Sequence, residues 1–169
     1  MSLLSALYLL LPAAVANMTP VIFARVPFLA TPVDFNFTIG GRRLFGANKT
    51  WRGLISGVLT GAITAVIQNQ FFNIDFFANP AIFGALLGLG ALLGDLLSSA
   101  FKRRLNIAPG QAFYIIDQIN WVVPALIVLR CAGHPITLII SLLTMLIFGV
   151  LHVVINQVAF RLKVRSNPW

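Results

Sequence analysis

The chain predicts an all-α integral membrane protein, one bundle of five transmembrane helices, and three observations carry that expectation. Of 169 residues, 59% are hydrophobic and 9% charged, with a mean hydropathy of +0.91, whereas soluble domains carry roughly 25% charged residues. Several apolar runs reach the roughly 20 residues a helix needs to cross a bilayer, and none shows the short alternating segments of a membrane barrel. Basic residues gather in a few segments between the runs. The whole of 1–169 is expected to form a single domain.

The first span is expected at about Leu3 to Ala24. No Lys or Arg precedes it and Arg25 follows it directly, the reverse of a secretory signal's charged start, so it reads as a retained helix. Pro12 and Pro20 are expected to bend it. The second span covers Leu54 to Phe72, with Thr50 as its cap. The third covers Pro80 to Ser99, the fourth Phe113 to Leu129 and the fifth Pro135 to Phe160. The fourth carries Asp117, Asn120 and Pro124 and is the least regular of the five.

Charge distribution orients this layout. Arg25, Arg42, Arg43, Lys49 and Arg52 fall in the first loop, Lys102, Arg103 and Arg104 in the third, and Arg161, Lys163 and Arg165 in the tail. Five spans put all of these on one side and only Arg130 on the other, so the N-terminus is expected outside and the C-terminus in the cytoplasm of a multi-pass cell-membrane protein. The formal charge of +8 is dispersed over short loops and lacks the continuous patch that a nucleic acid would require. A single cysteine, Cys131, excludes an internal disulfide and any multi-cysteine metal site, and reads as packing.

Two patterns organise the interior. Gly53, Gly57, Gly61 and Ala65 repeat every four residues on the second span, the spacing that lets membrane helices approach closely. On the third, Gly84, Gly88, Ala91, Asp95, Ser98 and Lys102 share a sector of about 80°. The long first loop alternates on both sides of Gly40-Gly41, from Asp34 to Ile39 and from Arg42 to Phe45. A short surface β-hairpin and an irregular interfacial loop with dipped phenylalanines both fit this pattern.

With only four acidic residues in the chain, Asp95 and Asp117 stand out, because a carboxylate at the edge of an apolar span is costly and marks a functional site. They flank a loop holding Lys102, Arg103, Arg104, Pro109, Gly110 and Gln111. Two carboxylates beside an anion-binding loop suit a magnesium nucleotide, the acids for the hard cation and Lys or Arg for the phosphates. The alternative is that Asp95 and Lys102 merely neutralise one another at the interface. A second island, Phe45 to Gly53, places Asn48, Lys49, Thr50 and Arg52 at a helix N-terminus, where they could hold phosphate oxygens. A topology anchor with an interfacial Trp51 explains part of the same island. His134 and His152 are isolated and read as locally satisfied polar residues, Asp75 as part of a short external loop, and Asp34 as a residue shaping the hairpin.

Taken together, Phe45 to Gly53, Gly94-Asp95-Leu96, Ser98, Lys102-Arg103, Pro109-Gly110 and Asp117-Gln118 resemble the membrane-bound CTP:phosphatidate cytidylyltransferase superfamily, and in particular its compact archaeal branch, the CDP-archaeol synthases. The resemblance covers roughly Asp34 to Asn120. It implies magnesium-dependent transfer of CMP from CTP to an unsaturated isoprenoid diether glycerol phosphate, with release of pyrophosphate, at an active site made by the cytoplasmic loops of about 25–53 and 100–112. By the same resemblance Asp95, Asp117 and Lys102 would be catalytic. Asn48, Lys49, Thr50, Arg52, Ser98, Arg103 and Gln118 would contact substrate and phosphate, and Asp95 and Asp117 would hold Mg2+, with Asn120 as a further oxygen donor. In the superfamily pattern an acid stands where this chain has Asn120, which lowers the number of charged ligands. The competing readings are a CDP-diacylglycerol synthase acting on phosphatidate, a small transporter of an anionic or proton-coupled substrate, and a structural membrane subunit. Oligomeric state is left open by the sequence.

Overall fold

A computed structural model describes residues 1–72, 79–108, 111 and 113–163, without the side chains of Tyr114 and Ile115. Asp75, Pro109, Gly110 and Arg165 lie outside the described residues. Among the described residues, four helical stretches are long and apolar enough to cross a membrane: Leu3–Arg25, Trp51–Phe71, Pro80–Arg104 and Leu138–Arg161. They correspond to the first, second, third and fifth expected spans.

The first stretch is composite, with α1 (Leu3–Leu9), α2 (Leu11–Ile22) and a 3₁₀ turn (Phe23–Arg25). It breaks at Leu10, and Pro12 falls in the first turn of α2, where a missing N–H breaks no helix bond. Pro20 stays inside α2. The 3₁₀ turn leads into the long first loop, where β1 (Thr38–Ile39) pairs antiparallel with β2 (Arg42–Arg43). Gly40 and Gly41 join them at φ +60° and +74°, a two-residue turn that needs positive φ at both positions. Phe28, Phe35 and Phe37 in the same loop remain exposed.

Helices α3 (Trp51–Phe71), α4 (Pro80–Arg104) and α7 (Leu138–Arg161) each begin on a polar cap. Thr50 Oγ1 accepts from the Gly53 N–H at 3.3 Å, Asn79 Oδ1 from the Ala81 N–H at 2.8 Å and Thr137 Oγ1 from the Ile140 N–H at 3.4 Å. The expected fourth span is instead two short helices, α5 (Tyr114–Ile119) and α6 (Val122–Cys131), neither long enough to cross alone. The cause lies in Pro124. It lacks the N–H that would bond the Asn120 carbonyl, and the chain turns at Asn120-Trp121.

Helix α4 is central, packed against α2, α3, α5 and α6. In its membrane-length window 56% of residues are buried, against 17% in α7, whose surface is apolar nearly all round. The core fills the space between α1, α2, α4, α6 and α7 with Leu10, Phe83, Leu87, Trp121, Val122, Leu129 and Phe148. The glycine repeat of α3 meets α2 and α4 backbone to backbone. A side-chain carbon at Gly57 would lie 2.8 Å from the Ala16 carbonyl oxygen, and one at Gly61 2.6 Å from that of Gly84. At Gly84 it would collide with the Gly61 carbonyl. Since the obstacle is backbone, relief requires the helices to separate.

Gly84→Ala is therefore expected to destabilise the bundle by about 1–3 kcal/mol, read as a lower thermal midpoint in detergent. The lipid-facing control Leu59→Ala, at a residue 56% exposed, should shift that midpoint far less.

Candidate active site

One end of the bundle carries the first loop, the start of α3, the end of α4 and α5. Asp34 organises the loop. Its side chain is fully covered and accepts from Arg43 Nη2 at 2.5 Å, Asn36 N–H at 3.1 Å, Phe45 N–H at 3.1 Å and Gly46 N–H at 3.2 Å. One carboxylate thus ties the incoming limb of the hairpin to the outgoing one. Burial pushes the Asp34 carboxyl up, but the Arg43 guanidinium and the three N–H donors outweigh it and hold it at about 2, against an ordinary 3.8.

The loop then seals the start of α3. The Val33 N–H donates to the Lys49 carbonyl at 2.8 Å, the Trp51 N–H to Thr31 at 3.0 Å and the Arg52 N–H to Leu29 at 2.9 Å. These bonds occupy the N–H groups at the start of the helix. Those of Trp51, Arg52 and Gly53 are already bonded within the protein, so the charge this island can offer is the Lys49 side chain.

Lys49 turns across to α4 and pairs with Asp95 Oδ2. Lys102 Nζ pairs with both Asp117 oxygens at 2.8 and 3.0 Å, and Asp117 Oδ2 also accepts the Phe113 N–H at 2.8 Å, bracing the first turn of α5. The expected Asp95–Lys102 neutralisation is therefore corrected: each acid of the pair takes its cation from a different element. All four side chains keep partial exposure, 26% and 29% for Lys49 and Asp95, 14% and 20% for Lys102 and Asp117. Gly94 brings the two acids' elements together. A side-chain carbon there would collide with the Asn120 carbonyl and lie 2.7 Å from Pro124 Cγ, so only glycine lets α4 touch the turn between α5 and α6.

The other expected site residues divide. Arg103 is buried, donates from Nη1 to the Ile107 carbonyl at 2.6 Å, and belongs to this end of the bundle. Ser98 is buried one turn below Lys102, its hydroxyl without a hydrogen-bond partner among the described residues. Asn48 is exposed, and Thr50 is engaged as the α3 cap. Arg52 donates to the carbonyls of Val26 and Ala24, fastening the end of the first span. Gln118 packs towards Gly149 of α7, 3.9 Å from its added carbon, and Asn120 meets Gly94 through its backbone.

Away from the site, Cys131 is exposed at the end of α6, not packed as expected, because that helix buries Val122, Ala125, Leu126 and Leu129 on another face. His152 Nδ1 accepts from Trp121 Nε1 at 3.1 Å, and His134 packs edge-on against Phe83. Both histidines are locally engaged.

A cavity of about 370 Å³ opens between the hairpin and the end of α4, lined by Arg42, Arg43, Gly46, Ala47, Arg103 and the 106–108 segment. Arg104 holds the hairpin over it, donating to the Ile39 carbonyl at 2.8 Å and the Arg43 carbonyl at 3.3 Å.

The model of the CarS-like family, described as CDP-archaeol synthase, matches residues 1–169. The chain belongs to the CDP-archaeol synthase family. The CDP-archaeol synthase of Pyrococcus furiosus is 36% identical, over 99% of this chain and 98% of that one. That of Methanocaldococcus jannaschii is 35% identical over 99% and 97%. A solved intramembrane enzyme of archaeal membrane lipid biosynthesis superposes with a TM-score of 0.82 at 33% identity, covering 92% of this chain and 94% of that one. Membership in the CDP-archaeol synthase family sets aside the transporter and structural-subunit readings. Within this member, sequence reasoning passed over Arg42, Arg43 and Arg104 as topology signals, and gave Asp34 no more than a part in the hairpin's shape. The signal that could have found them was the placing of an acid and three arginines on either side of a Gly-Gly turn and the next basic loop.

Because the Asp34 carboxyl is held low when folded, its contribution is full above its unfolded value near 3.8 and is lost as pH falls towards about 2. Asp34→Asn should therefore cost about 2 kcal/mol at neutral pH, seen as faster proteolysis of the 26–50 loop and a lower thermal midpoint. The gap in midpoint from wild type should be constant above about pH 5 and shrink as pH falls towards 2.

Proposed function

We propose that this CDP-archaeol synthase family member transfers CMP from CTP to the phosphate of an unsaturated isoprenoid diether glycerol phosphate, releasing pyrophosphate, at a magnesium-dependent site on the cytoplasmic face of the cell membrane. The observation that carries the reading is the pair of half-buried contacts, Lys49 with Asp95 and Lys102 with Asp117, gathered at the end of the apolar bundle. In this reading α5 and α6 together make the fourth of five passes, which puts the first loop, the segment after α4 and the tail on one side, with their basic residues in the cytoplasm.

A phosphate oxygen of the lipid attacks the α-phosphorus of CTP. The new P–O bond forms as the bond to the β-bridging oxygen breaks, and pyrophosphate leaves with that electron pair. The attacking group is already an anion at neutral pH, so the protein needs little general base. Its work is to align two polyanions and neutralise them. Lys49 and Lys102 do so on facing elements, each held in place by its acid until substrate phosphate competes for it. Arg103, fixed by the Ile107 carbonyl, adds a permanent charge. Ser98, its hydroxyl buried on the same face of α4 as Asp95 and Lys102, is positioned to donate to the lipid phosphate. The isoprenoid chains lie against the exposed apolar surface of the spans, where only van der Waals and hydrophobic contact is required.

The acids fit magnesium. That ion takes one or two carboxylates together with substrate phosphates and water, and among the described residues no group of three or more His, Cys, Asp or Glu side chains forms a closed protein cage. Asp95 and Asp117 would hold it, with Asn120, three residues after Asp117 at the end of α5, as a further oxygen donor. When bound, it supplies positive charge to the triphosphate oxygens.

The deciding experiment is transfer of label from CTP into a chloroform-extractable product by purified protein with magnesium. Label entering the diether lipid and not diacyl phosphatidate supports the proposal. Equal use of both removes the lipid assignment, and no label with either, in a folded preparation, removes the reaction. In the same assay Asp117→Asn and Lys102→Ala should each lose about a hundredfold or more in turnover while keeping a wild-type elution profile in detergent. Wild-type turnover in either would overturn the site.

A further inference from the structure

Helix α7 is the least covered of the membrane-length helices, yet it carries one covered row. Thr144, Phe148, His152 and Asn156 recur every four residues and so share a face. Thr144, Phe148 and Asn156 are buried and His152 is half-buried, while Leu146, Val150, Leu151 and Val154 on the remaining surface are exposed. Of its neighbours, α7 meets α5 most extensively, the helix that carries Asp117. Gly149 sits beside the row, and a side-chain carbon there would touch α5, 3.6 Å from Ile119 Cγ2 and 3.9 Å from Gln118 Cβ. Just past the end of α5, Trp121 is 2% exposed and packs edge-on against Phe148, ring centroids 5.2 Å apart. Its Nε1–H donates to His152 Nδ1 at 3.1 Å. An indole N–H can only donate, so this bond requires a lone pair on His152 Nδ1.

Helix α5 depends on such support, because its 6 residues are too few to hold a helix without tertiary contacts. Its start is braced by the Asp117 carboxylate, which accepts from Lys102 Nζ and the Phe113 N–H. Its end meets α4 where the Asn120 carbonyl packs on Gly94. Packing on a glycine limits how close the turn comes but leaves it able to slide or roll along α4. A hydrogen bond between two side chains, one in the turn and one on α7, fixes direction as well as distance. We propose that His152 is a positioning residue for the transfer reaction: by holding Trp121 it fixes the turn between α4 and α7, and with it the place at which Asp117 meets Lys102. The inference rests on the cytidylyltransferase reading and extends it to α7, whose lipid-facing surface otherwise suggests no part in the chemistry.

The test uses the full chain in detergent and compares three variants. His152→Leu removes the acceptor at similar volume and should lower kcat for label transfer by about tenfold to a hundredfold, the effect of a small misplacement of aligned groups. The KM values for CTP and for the lipid phosphate should stay at the wild-type level, since the loss falls on alignment. His152→Asn, whose Oδ1 lies as many bonds from the backbone as Nδ1, should restore most of the turnover. Leu129→Ala, a fully buried truncation at the far end of α6, supplies the structural comparison: it should lower the thermal midpoint through its cavity and keep wild-type kcat below that midpoint. Wild-type kcat in His152→Leu would overturn the proposal. So would an equal loss of turnover in Leu129→Ala, which would reduce the effect to stability. Should wild type transfer no label at all, the reaction falls, and amide hydrogen exchange over residues 113–121 decides the positioning role by itself. Faster exchange there in His152→Leu, reversed in His152→Asn, supports it, and unchanged exchange overturns it.

Discussion

The contact of Gly94 with the Asn120 carbonyl, and of Gly61 with Gly84 on another side of the same helix, sets how closely α3 and the α5–α6 turn approach α4. In a bilayer, helices gain little from burying apolar surface against each other, because lipid is as apolar as leucine. Close backbone packing supplies the specificity instead. With glycine at these positions α4 is approached by the elements that carry the partners of both its lysine–aspartate contacts. The carbonyl that meets Gly94 belongs to the residue whose helical bond Pro124 cannot make, so the same proline both breaks the helix and exposes the surface that docks on α4.

Electrostatics at this end follow from scarcity. With four acids against twelve Lys and Arg, every described carboxylate has a choice of cations, and the fold decides which it takes. Asp34 is spent on architecture, holding two limbs of a loop and Arg43 in one arrangement. Asp95 and Asp117 take lysines, whose ammonium heads are compact point charges on flexible stems. The arginines left over face the cavity or hold backbone carbonyls, as Arg52, Arg103 and Arg104 do. Ammonium heads therefore hold the two half-buried acids, and planar forks hold the loop and its carbonyls.

The cost of charge in lipid explains why both sets lie at the end of the bundle. Charged groups deep in the hydrocarbon would each be costly, while at the end of the apolar spans they stay within reach of water. The loop of 26–50, fastened by Asp34, Arg52 and Arg104, supplies the polar wall that four apolar helices cannot.

Four of the expected spans, the Thr50 cap, the close-packing glycines and the gathering of Asp95 and Asp117 with Lys102 at one end of the bundle were legible from residues 1–169 alone. Hydropathy over a span and glycine spacing along a helix are properties of short stretches of chain, set by transfer free energy and helical geometry whatever the neighbours are. Tertiary structure decided the rest. Lys49 meets Asp95 across 46 positions in sequence, Asp117 rather than Asp95 holds Lys102, Asp34 closes a loop, and Arg104 reaches a hairpin 61 and 65 residues away. Those pairings depend on which helices lie side by side and at what distance. One-dimensional pattern carries no such information, because any of a dozen cations could satisfy a lone carboxylate until packing makes one of them near.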